Sequence, residues 1–124
     1  MRILVVDDSM VMRKMIDRLV RAAGIDVTEL IEANDGWEGL ALVQSKDPDL
    51  ILCDVNMPTM DGLEFLRNLK QASLPRRVPV VMITTEGSES RMAEAKASGA
   101  AGYIRKPFTV EQIKEQILPL LEAS

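Results

Sequence analysis

The chain has 124 residues, of which 47% are apolar and 27% are charged, and this size and composition fit one folded domain. Its 15 basic and 19 acidic side chains give a net charge of −4, which argues against binding to the nucleic-acid backbone. The absence of histidine excludes a Ser-His-Asp triad, a histidine zinc site and a phosphohistidine carrier, and the single cysteine, Cys53, excludes an internal disulfide.

The predicted strands are short apolar runs. Three of these runs lack alternating polar residues, which is typical of strands covered on both faces of a sheet. The other two patterns are weaker. In chain order, strands are predicted at 3–6, at about 27–33, at 50–53, at 80–83 and at about 101–104.

A helical pattern follows each predicted strand. Ser9 is the expected N-cap of the first helix and Gly24 its end, and Thr109 is the expected N-cap of the fifth. In chain order, the apolar residues that mark the helices are Met12, Met15, Ile16, Leu19 and Val20; Trp37, Leu40 and Ala41; Leu63, Leu66 and Leu69; Met92 and Ala95, with Ala97 as a further candidate; and Val110, Ile113, Ile117, Leu120 and Leu121. Trp37 could either cover the sheet or be exposed. This alternation predicts a doubly wound α/β fold with a parallel sheet, as one domain over residues 1–124.

No apolar stretch has the length of an export signal or of a membrane span. The run 3–6 is stopped by Asp7 and Asp8, whereas a signal peptide needs about 7–15 apolar residues. The run 80–83 is far below the roughly 20 residues that span a bilayer. With a lone cysteine that fits a reducing compartment, these features lead us to expect a soluble cytoplasmic protein.

Polar residues follow four of the five strands. Asp7 and Asp8 follow the first, Asp54 ends the third, Thr84 ends the fourth and Lys106 follows the fifth. Ligands of open α/β sheets bind beyond the carboxyl ends of the strands. In the flavodoxin-like strand order 2-1-3-4-5, these residues line one edge, with the first and third strands adjacent.

This arrangement predicts a site for phosphoryl transfer. Three crowded carboxylates repel one another unless a cation lies among them, and such oxygen ligands suit Mg²⁺. Thr84 and Lys106 would contact phosphate oxygens. With no histidine and no suitably placed cysteine, the expected nucleophile is a carboxylate, which would form an acyl phosphate.

Five short motifs occur in order at these elements. They are Val5-Val6-Asp7-Asp8-Ser9, Cys53-Asp54-Val55-Asn56-Met57-Pro58, Met60-Asp61-Gly62, Ile83-Thr84 and Lys106-Pro107-Phe108. Through them, essentially the whole chain resembles the receiver domain of bacterial two-component response regulators. The resemblance implies a flavodoxin-like five-stranded sheet with five helices, and it is greatest to the free-standing, CheY-like chemotaxis type.

The resemblance also implies a role for each acid. Asp54 would be the phosphoacceptor. Asp8 would bind Mg²⁺ directly, Asp7 would bind it directly or through water, and the backbone carbonyl of Asn56 would complete the protein ligands.

By the same resemblance, the remaining residues sense or tune the phosphoryl group. Thr84 would donate a hydrogen bond to it, Lys106 would pair with it, and Tyr103 would be the aromatic switch of the fifth strand. Asn56 and Glu86 match positions that go with fast loss of the phosphoryl group.

The resemblance implies protein partners. A sensor histidine kinase would be the phosphodonor, and a downstream protein would bind the surface of the fourth helix, fifth strand and fifth helix. In chemotaxis-type members that target is the flagellar motor switch, and a phosphatase is a further partner. We expect a monomeric signalling switch that catalyses only its own phosphorylation and dephosphorylation, without nucleic-acid or membrane binding. Residues 86–90 lack the lysines of enteric relatives, which leaves the target open.

Other functions share parts of this pattern. A haloacid-dehalogenase-type phosphatase also uses an aspartate and Mg²⁺, but it has an aspartate two residues after the nucleophile, where this chain has Asn56. A flavodoxin-like redox carrier needs a phosphate loop where Asp7 and Asp8 would repel phosphate. A third alternative is a degenerate receiver that acts only as a binding module. The complete set of aspartates, threonine and lysine argues against it. A single-domain phosphorelay intermediate or phosphate sink stays open.

Each residue also has a structural interpretation. Asp7 and Asp8 could serve only the dipole of the first helix. Thr84 could favour a strand end because it is β-branched. Lys106 could be surface charge, and Tyr103 is as readily a packing residue as a switch.

Overall fold

The computed structural model describes residues 1–57, 59–72, 74, 77–84, 89–105 and 109–122, and strands and helices alternate along them. The strands are β1 (Arg2–Val6), β2 (Glu29–Ala33), β3 (Leu50–Asp54), β4 (Val80–Thr84) and β5 (Gly102–Arg105). The helices are α1 (Met10–Ala22), α2 (Gly36–Lys46), α3 (Gly62–Gln71), α4 (Glu89–Ala97) and α5 (Val110–Glu122). The predicted α/β fold with five strands and five helices is confirmed.

The five strands form one parallel sheet in the order β2-β1-β3-β4-β5. This is the predicted flavodoxin-like order. Val6 of β1 lies opposite Ala33 of β2 and Cys53 of β3, and Asp54 lies opposite Ile83 of β4. The register therefore brings the ends of β1, β3 and β4 to the same edge of the sheet.

Both faces of the sheet are covered by apolar helices, which explains why the strands show no polar alternation. Successive residues of β1 point to opposite faces, so Ile3 and Val5 pack in one layer and Leu4 and Val6 in the other. The first layer contains α1 and α5, through Ile16, Val20, Ile113 and Ile117. The second contains α2, α3 and α4, through Val43, Leu63, Phe65, Leu66, Leu69 and Ala95.

The apolar residues that mark α2 are only partly buried: Leu40 packs against the core, whereas Trp37 and Ala41 do not. Trp37 is 64% exposed and Ala41 is exposed, whereas Gly36, Gly39 and Val43 are buried. A Cβ atom added at Gly39 would lie 3.0 Å from both Phe65 and Val6. The helix therefore packs close to the sheet through its glycines. A search for apolar side chains at helical spacing does not detect a contact made by glycine.

Several strand boundaries also differ from the prediction by one or two residues. β2 begins at Glu29, two residues later than expected, and β5 covers Gly102–Arg105 rather than 101–104. None of the described helices is long and apolar enough to cross a membrane.

Candidate functional site

The turn from β1 into α1 places two acids at the carboxyl edge of the sheet. Asp7 is only 1% exposed, and its N–H donates to the carbonyl of Ala33 at 3.1 Å. Its Oδ1 accepts from the N–H of Ser9 at 2.9 Å. The Ser9 hydroxyl in turn accepts from the N–H of Met12 at 3.2 Å, which confirms Ser9 as the N-cap of α1. Asp8 lies between these two anchored residues and is exposed.

A buried arginine of α1 contacts this turn, whereas a methionine of the same helix that the sequence assigned to the core is exposed. Met15, expected in the core, is 43% exposed, whereas Arg13 is only 7% exposed. Arg13 Nη1 donates to the Asp7 carbonyl at 2.6 Å, and Nε donates to Glu32 Oε1 at 2.9 Å. Arg13 lies three residues before Ile16, and this spacing could have shown that Arg13 shares the buried face of α1.

The end of β3 supplies the third acid. Asp54 is the last residue of β3 and is 6% exposed. Its Oδ1 accepts from the N–H of Asn56 at 3.4 Å, so the exposed residue Asn56 lies beside the carboxylate. The next residue, Val55, donates its N–H to the Ile83 carbonyl at 2.9 Å, and this bond extends the sheet past Asp54.

Gly62, the first residue of α3, packs against the backbone of this strand end. Its N–H donates to the Val55 carbonyl at 2.8 Å. A Cβ atom on Gly62 would collide with the Asp54 carbonyl oxygen and would lie 2.8 Å from Val55 Cα. Glycine is required here by the close approach of two backbones. The sequence motif contained Gly62, but this contact was not predicted.

The structure brings Asp7, Asp8 and Asp54 into one cluster. Each can offer a carboxylate oxygen, and these atoms all lie within 4.8 Å of one another. Two of the acids are buried and Asp8 is exposed, so the cluster opens to solvent on the Asp8 side. Carboxylates this close repel one another, and a hard divalent cation that prefers oxygen ligands fits both their charge and their chemistry.

The other predicted site residues lie at the ends of the neighbouring strands. Thr84 ends β4, one position beyond the residue that pairs with Asp54, and is fully buried. Tyr103, on β5, is 7% exposed, and its N–H donates to Gln116 Oε1 of α5 at 3.1 Å. Lys106 and Glu86 lie outside the described residues, so their placement and roles stay predictions.

Cys53 precedes Asp54 and is fully buried. Burial raises the pKa of its thiol well above the usual value, and the carboxylates of Asp54, Asp7 and Asp61 raise this pKa further. The thiol therefore stays protonated near neutral pH, and Cys53 is unsuited to act as a nucleophile.

Comparison with known proteins connects this site to one family. Residues 3–118 match the family model described as a response regulator receiver domain. The chain is 38% identical to chemotaxis protein CheY-3 of Vibrio cholerae, over 98% of this chain and 92% of that protein. It is also 38% identical to chemotaxis protein CheY of Pseudomonas aeruginosa, over 98% of this chain and 97% of that protein. A solved structure of Vibrio cholerae CheY4 matches the fold with a TM-score of 0.80 at 38% identity, covering 98% of this chain and 96% of that one.

Proposed function

The chain belongs to the response regulator receiver family and is CheY-like, and we propose that it accepts a phosphoryl group on Asp54 from the phosphohistidine of a sensor histidine kinase. The observation that carries this proposal is the cluster of Asp7, Asp8 and Asp54, whose oxygens lie within 4.8 Å. Such a cluster holds the charge that a divalent cation would neutralise, at the edge where α/β sheets bind ligands.

In the proposed reaction, an oxygen of the Asp54 carboxylate attacks the phosphorus atom. The bond from phosphorus to the imidazole nitrogen of the donor breaks, and its electron pair stays on that nitrogen. The product is an acyl phosphate on Asp54. The burial of Asp54 and the sheet hydrogen bond at Val55 support this role, because a fixed nucleophile lowers the cost of alignment.

The other residues hold and neutralise the group. We propose that Asp7, Asp8, Asp54 and the Asn56 carbonyl hold Mg²⁺. When bound, Mg²⁺ supplies positive charge that stabilises the oxygens of the transferred phosphoryl group. We assign to the Thr84 hydroxyl a hydrogen bond to a phosphoryl oxygen, since Thr84 ends the strand beside Asp54.

The acyl phosphate would carry about −1.5 to −2 charges where the Asp54 carboxylate carried −1, and we propose that this added charge and the new phosphoryl oxygens shift a two-state surface formed by α4, β5 and α5. Thr84 and Tyr103 would transmit the change and Lys106 would pair with the phosphoryl group. The names of the relatives support a role in chemotaxis. We propose the flagellar motor switch as the target by analogy with chemotaxis-type members of the family. A phosphorelay intermediate is the alternative.

We further propose that the signal ends by hydrolysis. Water attacks the phosphorus atom, the bond to the Asp54 oxygen breaks, and inorganic phosphate leaves. Asn56 and Glu86 would set this rate, and a phosphatase would be a further partner. On this proposal the chain is one receiver domain, acts as a monomer in the cytoplasm, and is a switch rather than an enzyme for an outside substrate.

Acetyl phosphate with Mg²⁺ tests the acceptor assignment. Intact-mass spectrometry should show one phosphoryl group per chain in the wild type and none in Asp54→Asn. Asp26→Asn is the control and should be phosphorylated like the wild type, because Asp26 is an exposed acid outside the acidic cluster. Phosphorylation of Asp54→Asn at the wild-type level would refute the assignment.

Beryllium fluoride tests the switch separately from the acceptor chemistry. With Mg²⁺, it should change the fluorescence of Trp37, the single tryptophan, in a saturable way. In a pull-down, the beryllium-fluoride form of the protein should retain a motor-switch protein, and the unmodified form should not. Retention of a histidine-containing phosphotransfer protein instead would favour the phosphorelay alternative.

A further inference from the structure

The described part of the chain buries three acidic or basic side chains, and the proposed phosphoryl transfer uses only two of them. Asp7 and Asp54 belong to the acidic cluster, whereas Arg13 belongs to α1. A buried guanidinium is costly to desolvate, so it persists in a fold only when its donors are paired. The partners of Arg13 therefore show what this side chain holds in place.

Arg13 connects the acidic cluster to the edge strand β2. Its Nη1 donates to the backbone carbonyl of Asp7 at 2.6 Å, and its Nε donates to Glu32 Oε1 at 2.9 Å. The Arg13 side chain is 9% exposed and the Glu32 side chain is 40% exposed. Glu32 thus orients the guanidinium from the solvent side, while the opposite end binds the Asp7 backbone.

The bound carbonyl belongs to the peptide group that joins Asp7 to Asp8. Asp7 is held at two further points, because its N–H donates to Ala33 and its Oδ1 accepts from Ser9. The ψ angle of Asp7 and the φ angle of Asp8, on either side of this peptide, set the direction of the Asp8 carboxylate relative to that of Asp7. A hydrogen bond to the peptide oxygen restrains both angles and therefore this relative direction. Groups that orient ligands in this way contribute to the affinity of a metal site although they do not touch the metal.

We propose that Arg13 is a positioning residue for the divalent-cation site, where it holds the Asp7–Asp8 peptide so that both carboxylates stay directed toward Asp54. This inference rests on the proposed function, since it requires a cation at the acidic cluster. Arg13 has two opposing effects on that cation: its positive charge repels the cation, and its hydrogen bond organises the ligands. The sign of the affinity change on removing Arg13 shows which effect dominates.

Calorimetric titration with Mg²⁺ tests the inference on the wild type and three variants. Arg13→Met should bind Mg²⁺ about tenfold more weakly. Arg13→Lys should also bind more weakly, though less so, because an ammonium keeps the charge without the planar fork. Arg21→Met is the matched control and should bind like the wild type, since Arg21 is on the same helix in an exposed ion pair with Asp17 at 2.7 Å.

The outcomes separate positioning from charge and from general stability. Equal or tighter binding of Mg²⁺ by Arg13→Met overturns the inference, even if the melting temperature of the variant falls. That result would mean that Arg13 acts only through its charge or only in the stability of the fold. If Arg13→Met does not fold, Arg13→Lys decides, and wild-type affinity in that variant overturns the inference. In the cation-free protein, the amide resonances of Asp7 and Asp8 should shift in the Arg13 variants and not in Arg21→Met.

The same titration distinguishes failure of this inference from failure of the proposed function. A wild type that binds no Mg²⁺ overturns both. A wild type that binds Mg²⁺, together with unchanged affinity in the Arg13 variants, overturns only the role of Arg13.

Discussion

The two connections that carry the acidic cluster are held in different ways. The β1–α1 turn, residues 7–9, is short and is held by polar contacts from Ser9 and Arg13. The β3–α3 loop, residues 55–61, is longer, and its described residues add packing of apolar side chains to their hydrogen bonds. Gly62 lies against the Asp54 backbone, and the described part of the loop buries Val55, Met57 and Met60.

Length and composition explain this difference. The three residues of the β1–α1 turn are all polar and offer no apolar side chain to bury, so directional hydrogen bonds must define its conformation. A seven-residue loop can bury side chains, and close-packed side chains tolerate little added volume. We therefore expect the β1–α1 turn to be sensitive to the loss of a polar partner, and the β3–α3 loop to be sensitive to added atoms.

The largest expected effect is that of Gly62→Ala. Its new methyl group would meet backbone atoms of Asp54 and Val55, which cannot move aside without distorting the end of β3. We expect a loss of about 3 kcal/mol in the free energy of unfolding, measured by urea denaturation. Gly102→Ala is the milder comparison, because its Cβ would lie 3.0 Å from a side-chain atom, Gln116 Oε1, so its cost should be smaller although this oxygen accepts from the Tyr103 N–H. An equal cost in both variants would show that packing at Gly62 does not hold the loop.

Mg²⁺ should link the two connections. A ligand that binds only the folded state, at 100 times its Kd, stabilises that state by about 2.7 kcal/mol, so Mg²⁺ should raise the melting temperature of the wild type. The rise should be much smaller in both Asp8→Asn and Asp54→Asn, because the proposed cation needs acids from both connections. NaCl at matched ionic strength is the control for screening. If only one of the two variants loses the effect, the cation is bound at one connection alone.

The last residue of each connection is the N-cap of the helix that follows, and we expect a smaller effect on the free energy of unfolding at each of these two caps. Ser9 accepts from Met12 N–H at 3.2 Å, and Asp61 accepts from Glu64 N–H at 2.9 Å. Each alanine variant should lose about 1 kcal/mol in the free energy of unfolding. Asp61→Ala should lose more at low salt, because a carboxylate also interacts with the helix dipole, and the difference should shrink at high salt. Salt-independent losses would contradict this explanation.

The smallest expected effect is a gain at Thr59. This β-branched residue has a φ of 66°, in the left-handed region where the backbone is strained for residues other than glycine, asparagine and aspartate. Thr59→Asn should raise the free energy of unfolding by about 0.5–1 kcal/mol. Thr59→Val keeps the branched Cβ and should give no gain, so a gain in Thr59→Val, or none in Thr59→Asn, would show that this strain is not significant.

Much of the fold could be predicted because its signals are local. Apolar runs flanked by helical stripes define α/β alternation without reference to distant residues. Asp7 and Asp54 could be expected to meet because parallel strands end at a common edge and each acid directly follows an apolar run. Leu63, Leu66 and Leu69 are buried on α3 as their spacing predicted. Met15 is exposed, and of the residues that mark α2 only Leu40 packs against the core, because spacing alone does not show which of two adjacent faces a neighbouring element covers.

The sequence by itself determined the alternation of elements, the placement of acids after the strands and the family resemblance. Only the tertiary structure decided how these acids are held. Arg13 is buried because its partners come from other elements: Glu32 lies 19 residues away on β2 and the Asp7 carbonyl lies at the end of β1. The need for glycine at Gly62 likewise arises from the backbone of β3. Both contacts depend on how closely two elements approach each other, and the residue pattern within one element gives no information on that distance.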